Sequence, residues 1–206
     1  MSRIRVGVVG VGVAALNSHI PIVAQSGEFE LVALMDRDPA KLQFAKKLWP
    51  MCPSFTNLDE FLAVPGLDAA IAATPPDSHR AVAGAAISRG KHVLVEKPLA
   101  TSLSECRELV ELAAHHGVHL LVGHEKRFHP TFEKIHSILR AGELGKPYYC
   151  GVHWASNAKM DPANLVPEGF REGYDWRWRN PNVGGGIVQD HLPHYGDLIR
   201  YWMDVD

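Results

Sequence analysis

Val6-Gly7-Val8-Val9-Gly10-Val11-Gly12-Val13-Ala14-Ala15 is the stretch on which the reading of the fold turns. Residues from Arg3 to Val9 read as a strand, apolar enough to be covered on both faces, as central strands of parallel sheets are. A Gly-x-Gly pair follows at once. Gly10 permits a tight turn, Gly12 lets another group approach the backbone, and the small Ala15 lets the next helix pack close to the strand. Taken alone, this pattern also describes a bare strand–helix turn, so its neighbours must decide.

Working outward, the first 125 residues alternate short β-branched runs with longer Ala/Leu-rich segments, the signature of a parallel sheet. Strands are expected at Glu30 to Met35, Leu67 to Thr74, Lys91 to Val95 and Val118 to Val122. Helices are expected at Pro39 to Leu48, from about Ser78 to Ser88 and from about Ser104 to His116, the last two closed by Gly90 and Gly117. The fold class is α/β: a Rossmann doubly wound parallel sheet over residues 1–125, then an incomplete α/β substrate domain over 126–206. In the second part the spacing predicts a helix from His129 to Ala141, an aromatic-rich strand from Pro147 to Ser156, and a helix from Ile187 to Met203.

The second strand ends in Met35-Asp36, where a carboxylate can accept hydrogen bonds from the adenosine ribose of a dinucleotide whose pyrophosphate rests on the helix N-terminus. A turn or helix-capping aspartate is the plainer alternative for Asp36. An acid at this point favours NAD by repelling a 2′-phosphate, while the adjacent Arg37 leaves NADP open.

Composition narrows the function classes. A net charge of −2, with 46% hydrophobic and 21% charged residues, leaves no basic footprint for nucleic acid or an anionic membrane. No apolar run reaches the roughly 18 residues needed to span a bilayer. Nothing resembles a secretory leader, because Ile4 to Leu16 lacks a basic flank and a cleavage site. The three cysteines are spaced for neither a disulfide framework nor a zinc pattern. The expectation is a soluble, cytoplasmic protein acting on a small molecule.

Glu96-Lys97-Pro98, at the carboxyl end of a predicted strand, lies where open α/β sheets bind ligands. Together with Gly90-Lys91-His92-Val93-Leu94-Val95, Thr74-Pro75-Pro76-Asp77-x-His79, Arg127-Phe128-His129-Pro130 and Gly184-Gly185-Gly186-x-x-x-Asp190-x-x-x-His194, it resembles the Gfo/Idh/MocA oxidoreductases. The motifs run in order along essentially the whole chain. The resemblance implies hydride transfer between a nicotinamide and a carbinol carbon of a small polyhydroxylated substrate: a sugar, polyol or sugar acid. It implies a dinucleotide site from Gly10, Gly12, Val13, Ala14, Asp36, Arg37, Thr74, Pro75, His79, Glu96 and Lys97. It also implies a cis peptide before Pro98, with Glu96 orienting rather than reacting.

Catalysis would then fall to Lys97, Asp190 and His194. Lys97 would stabilise a developing alkoxide. His194 would act as general base, with an unperturbed pKa near working pH, and Asp190 would orient substrate or imidazole. Substrate contacts are expected from these three with His191 and Arg177. Trp154, Trp176, Trp178 and Arg179 sit nearby in sequence, although core packing is the commoner use of any one tryptophan. No metal is expected: Asp190-His191-x-x-His194 offers too few ligands.

Two features depart from the family pattern. Pro193 lies inside the predicted last helix, where it removes an amide donor and threatens the stacking of Asp190 on His194. The chain is also short for the family, with one expected strand of a second sheet. This keeps a second reading open, a non-catalytic dinucleotide-binding protein or fragment completed by a partner chain. Association into a homo-oligomer is likewise left open.

Overall fold

The computed structural model describes residues 2–153 and 186–204. Strand β1 (Ile4–Val9) enters the loop Gly10–Gly12, and the chain then turns helical. Ala15–His19 takes π geometry, with Ile20 N–H donating to Ala15 O, before α1 (Ile20–Gln25). β2 (Phe29–Met35), α2 (Pro39–Leu48), β3 (Ser54–Phe55) and α3 (Leu58–Leu62) follow. Next come β4 (Ala69–Ala72), α4 (His79–Ile87), β5 (His92–Val95), α5 (Leu103–His116) and β6 (Leu120–Val122). A 3₁₀ turn, Glu125–Phe128, leads into α6 (Pro130–Arg140), and α7 spans Gly186–Met203.

The six strands are all parallel, in the order β3-β2-β1-β4-β5-β6. Chain direction along the sheet reverses between β1 and β4, so a crevice opens there at the carboxyl ends, the place where such sheets take ligands. Alternation along β1 splits the core into two layers. Val6 and Val8 pack with Ile20, Val23, Leu42 and Ala45 from α1 and α2. Val9 faces the other layer, with Phe61, Val82, Ile87 and Leu109 from α3, α4 and α5. Gly7 belongs to that second layer because a Cβ there would lie 2.5 Å from the Phe61 ring.

Local chemistry ends the elements where the sequence analysis expects. Asp38 caps α2 by accepting from Ala40 N, Ser102 caps α5 by accepting from Glu105 N, and Gly117 terminates α5 at φ 63°. The doubly wound sheet is as expected, with one strand more than the periodicity marks. β3 is two residues long, too short to display an alternation.

The second part differs more. The expected strand Pro147 to Ser156 is not formed over its described residues, 147–153: among the described residues no strand pairs with them, and Tyr148 and Tyr149 are exposed. Its remainder lies outside the described residues. The last helix runs through Pro193 without ending there. Among the described residues, no helix is long and apolar enough to cross a membrane.

Candidate active site

The carboxyl ends of β1, β2, β4 and β5 bring the expected dinucleotide residues to one edge of the sheet. Gly10 N–H donates to Met35 O at 2.7 Å, and Ala73 N–H to Val9 O at 2.8 Å, binding the three loops together. Gly10 has φ +90°, and a Cβ on it would lie 2.6 Å from Ala73 O, so the turn admits only glycine there. At Gly12 a Cβ would meet nothing within 4 Å. The bare backbone thus faces open space at a helix N-terminus, which fits a pyrophosphate.

Asp36 uses both carboxylate oxygens on backbone. Oδ2 accepts from Val11 N–H at 2.8 Å, and Oδ1 accepts from Asp38 N–H at 2.9 Å. It is therefore a turn aspartate as well as the acid facing the phosphate loop. A carboxylate has about four acceptor sites, which leaves capacity for ribose hydroxyls. Arg37 is exposed, whereas Lys41 approaches Asp36 to 3.9 Å.

Two residues expected to contact the cofactor have protein partners instead of open polar atoms in the described structure. His79 is wholly buried at the start of α4, with Nδ1 2.8 Å from Pro98 O and Nε2 2.8 Å from Thr74 O. Both ring nitrogens are engaged with protein carbonyls, so His79 straps the Thr74-Pro75 turn to the Lys97-Pro98 turn rather than facing the crevice. Glu96 is likewise engaged with protein groups. Its Oε1 is 2.7 Å from His19 Nε2, its Oε2 accepts from Lys97 N–H at 3.2 Å, and its carboxylate lies flat against Gly123. Burial alone would raise the Glu96 carboxyl, but the His19 hydrogen bond and charge, with the Lys97 amide, hold it below the usual carboxylate range. His19 is a residue that motif reading missed, because the π segment alters which side chains of the first helix face the sheet.

The Lys97-Pro98 peptide is cis, as expected. The lysine reaches α7, where Nζ donates to Asp190 Oδ1 and to the Asp190 carbonyl, each at 2.7 Å. Both side chains are largely shielded from solvent. An ammonium carries three N–H donors, and two of them are taken up by Asp190 among the described residues.

His194 lies one turn along α7 and is buried at 8% exposure. Its Nδ1 is 3.5 Å from Glu125 Oε2 without forming a hydrogen bond. Desolvation, then the positive charges of Lys97, Lys126 and His124, pull its pKa down to about 4, against a smaller upward pull from Asp190. The near-neutral value expected from an unperturbed histidine is therefore corrected: this imidazole is neutral at working pH. His124 Nδ1 is a second buried ring nitrogen without a hydrogen-bond partner among the described residues. His191 is half-buried beside Asp190, with Nε2 3.7 Å from Asp190 Oδ2.

A further pair eluded motif reading. Arg127, on the 3₁₀ turn, donates to both oxygens of Asp197 on α7 at 2.7 and 2.6 Å, and its guanidinium lies 5.1 Å from the Tyr201 ring centre. The partners are 70 residues apart, a separation that carries no local signature. Arg177, Trp154, Trp176, Trp178 and Arg179 lie outside the described residues. Among the described residues, no three His, Cys, Asp or Glu side chains are grouped to hold a metal ion.

Known proteins bear on this geometry directly. Residues 4–124 match the family model described as "Oxidoreductase family, NAD-binding Rossmann fold", and residues 132–206 match the "GFO/IDH/MocA C-terminal domain". The chain is similar to the uncharacterized oxidoreductase YdgJ of Escherichia coli (strain K12), 33% identical over 95% of this chain and 52% of that protein. It is also similar to a 1,5-anhydro-D-fructose reductase of Ensifer adhaerens, 33% identical over 74% of this chain and 43% of that protein. Among solved structures, the WlbA dehydrogenase of Bordetella pertussis in complex with NADH and UDP-GlcNAcA superposes with a TM-score of 0.81. It is 30% identical and covers 98% of this chain and 58% of that one. The chain spans about half the length of the curated relatives it matches. With its NAD-binding Rossmann domain, the chain belongs to the Gfo/Idh/MocA oxidoreductase family.

Proposed function

We propose that this protein is an NAD-dependent oxidoreductase acting on the hydroxyl or carbonyl carbon of a sugar, polyol or sugar acid. One observation carries the reading: the Lys97 ammonium is held 2.7 Å from Asp190 Oδ1, with the buried imidazole of His194 one helical turn away. Two catalytic surroundings thus meet above the crevice, a fixed cation and a neutral proton acceptor.

Bound dinucleotide supplies the hydride acceptor or donor, and the protein supplies position and electrostatics. Gly10, Gly12, Val13 and Ala14 form the phosphate turn, Asp36 takes the ribose, and Thr74 and Pro75 border the same crevice. The remaining Lys97 N–H donates to the substrate oxygen and stabilises charge as its proton departs. Asp190 keeps Nζ in place and offers carboxylate capacity to a neighbouring hydroxyl. His194 accepts the proton, because at neutral pH its ring holds an open lone pair. His191 and His124, whose Nδ1 has no hydrogen-bond partner among the described residues, supply further polar contacts for a polyhydroxylated substrate. Residues 1–125 carry the cofactor and 126–206 the substrate side. The names of the anhydrofructose reductase and of the dehydrogenase bound to a nucleotide-sugar acid support this substrate class.

Lys97→Ala tests the reading. Turnover with a panel of sugars, polyols and sugar acids should fall by at least about a thousandfold, roughly 4 kcal/mol of barrier, while NADH fluorescence titration stays near wild type. Undiminished turnover would remove Lys97 from the chemistry. Wild-type binding of NADH without turnover of any panel member would favour a site completed by a partner chain.

A further inference from the structure

Asp190, His194 and Asp197 are spaced i, i+4 and i+7, so they form one stripe along α7. Every member of the stripe faces a side chain from the β5 end or from the turn after β6. Lys97 holds Asp190, Glu125 lies 3.5 Å from His194, and Arg127 takes Asp197 in a two-pronged pair with His124 3.9 Å away. Between the two pinned carboxylates the helix contains Pro193, which has no N–H to give the preceding turn. The backbone ladder is weakest where His194 must be aimed, so its two flanking turns depend on outside contacts for their relative rotation.

We propose that Arg127 and Asp197 are a positioning pair that sets the rotation of α7 and thereby keeps His194 buried, one turn along from the Asp190 that holds Lys97. The inference rests on the reading of Lys97, Asp190 and His194 as the reacting group. Arg127 suits this task because its planar guanidinium fixes both distance and orientation of a carboxylate, which a lysine would not. The same guanidinium lies over Tyr201, whose ring stacks on His136 of α6 at 3.8 Å. Arg127 therefore connects the part of α7 that packs on α6 to the part that carries His194. Asp197 is shielded enough for the pair to hold in water, with 11% of its side chain exposed.

The test reads His194 itself, independently of turnover. The histidine-labelled 206-residue chain is titrated by NMR as wild type, Asp197→Asn, the Arg127→Asp/Asp197→Arg exchange, and Glu108→Gln. The last variant breaks an Arg80–Glu108 pair of similar geometry between α4 and α5, which makes no hydrogen bond to α7 among the described residues. The groups facing His194 are Lys97, Lys126, His124, Glu125 and Asp190; none is substituted, although His124 stands 3.9 Å from the Asp197 carboxylate. Wild-type His194 should titrate near 4. In Asp197→Asn its midpoint should rise by at least about one pH unit as the ring turns outward into water. The exchange variant should bring it back, and Glu108→Gln should leave it in place.

A folded Asp197→Asn with a wild-type His194 midpoint overturns the proposal, as does an equal shift in Glu108→Gln. If Asp197→Asn does not fold, a folded exchange variant with a wild-type midpoint supports the pair. Failure of both to fold makes it a folding element and overturns the positioning role. Should Lys97→Ala retain turnover, the reacting group is wrong, and the His194 titrations still report whether this pair aims the ring.

Discussion

An added methyl at Gly10 would press on the Ala73 carbonyl, whereas at Gly12 it would project into open space. Two glycines that look alike in the motif thus serve different ends. Gly10→Ala should lower stability by at least about 2 kcal/mol, because φ is positive and backbone lies in the way. Gly12→Ala should leave stability within about 0.5 kcal/mol of wild type yet weaken NADH at least tenfold, about 1.4 kcal/mol. Urea melts and NADH titrations of both variants check this, and a Gly12→Ala chain that binds NADH normally would contradict the loop assignment. At this scale the sequence was informative where one residue type has one use: Gly10, the lysine before Pro98, and the Asp190–His194 spacing. It could not separate ligand contact from internal support at His79 and Glu96, both expected in the dinucleotide site, because their types suit either use. Only burial and the engaged ring nitrogens reveal His79 as a strap.

Elements tell a second story, in the first helix. The π segment Ala15–His19 brings His19 to Glu96 across 77 residues of sequence. A carboxylate with this little exposure loses its main support when that ring is removed. His19→Leu should destabilise by about 1–3 kcal/mol, the penalty for leaving a buried polar group unsatisfied. Glu96→Gln in the same chain should recover part of the loss, giving a coupling of at least about 0.5 kcal/mol in a denaturation cycle. Strict additivity would mean that the two side chains do not support each other. Helices α2, α4, α5 and α6 were legible because caps, prolines and terminal glycines mark their ends. The π segment was not, since its register shift leaves no trace in a hydrophobic pattern. Over its described residues, 147–153, the strand expected at Pro147 to Ser156 is not formed: β-favouring composition alone does not make a strand.

At the scale of the whole molecule, burial of His194 ties stability to pH. Its folded pKa of about 4 lies below the ordinary 6.5, so the unfolded chain takes up a proton that the folded chain refuses. Stability should therefore fall as pH drops from about 6.5 toward 4, by at most about 3 kcal/mol from this group. Urea denaturation across that window, wild type against His194→Asn, isolates the contribution: the wild type should lose more, and parallel losses would contradict the assignment. The sheet order itself followed from the sequence only as a class. Strand periodicity marks a parallel sheet, but which strand lies beside which depends on packing far apart in the chain. That order has one more consequence. The two strands left on the outside are the shortest, two residues in β3 and three in β6. A sheet that tapers at both margins offers little unpaired ladder for a foreign strand to extend, so resistance to edge-to-edge aggregation is set by strand length.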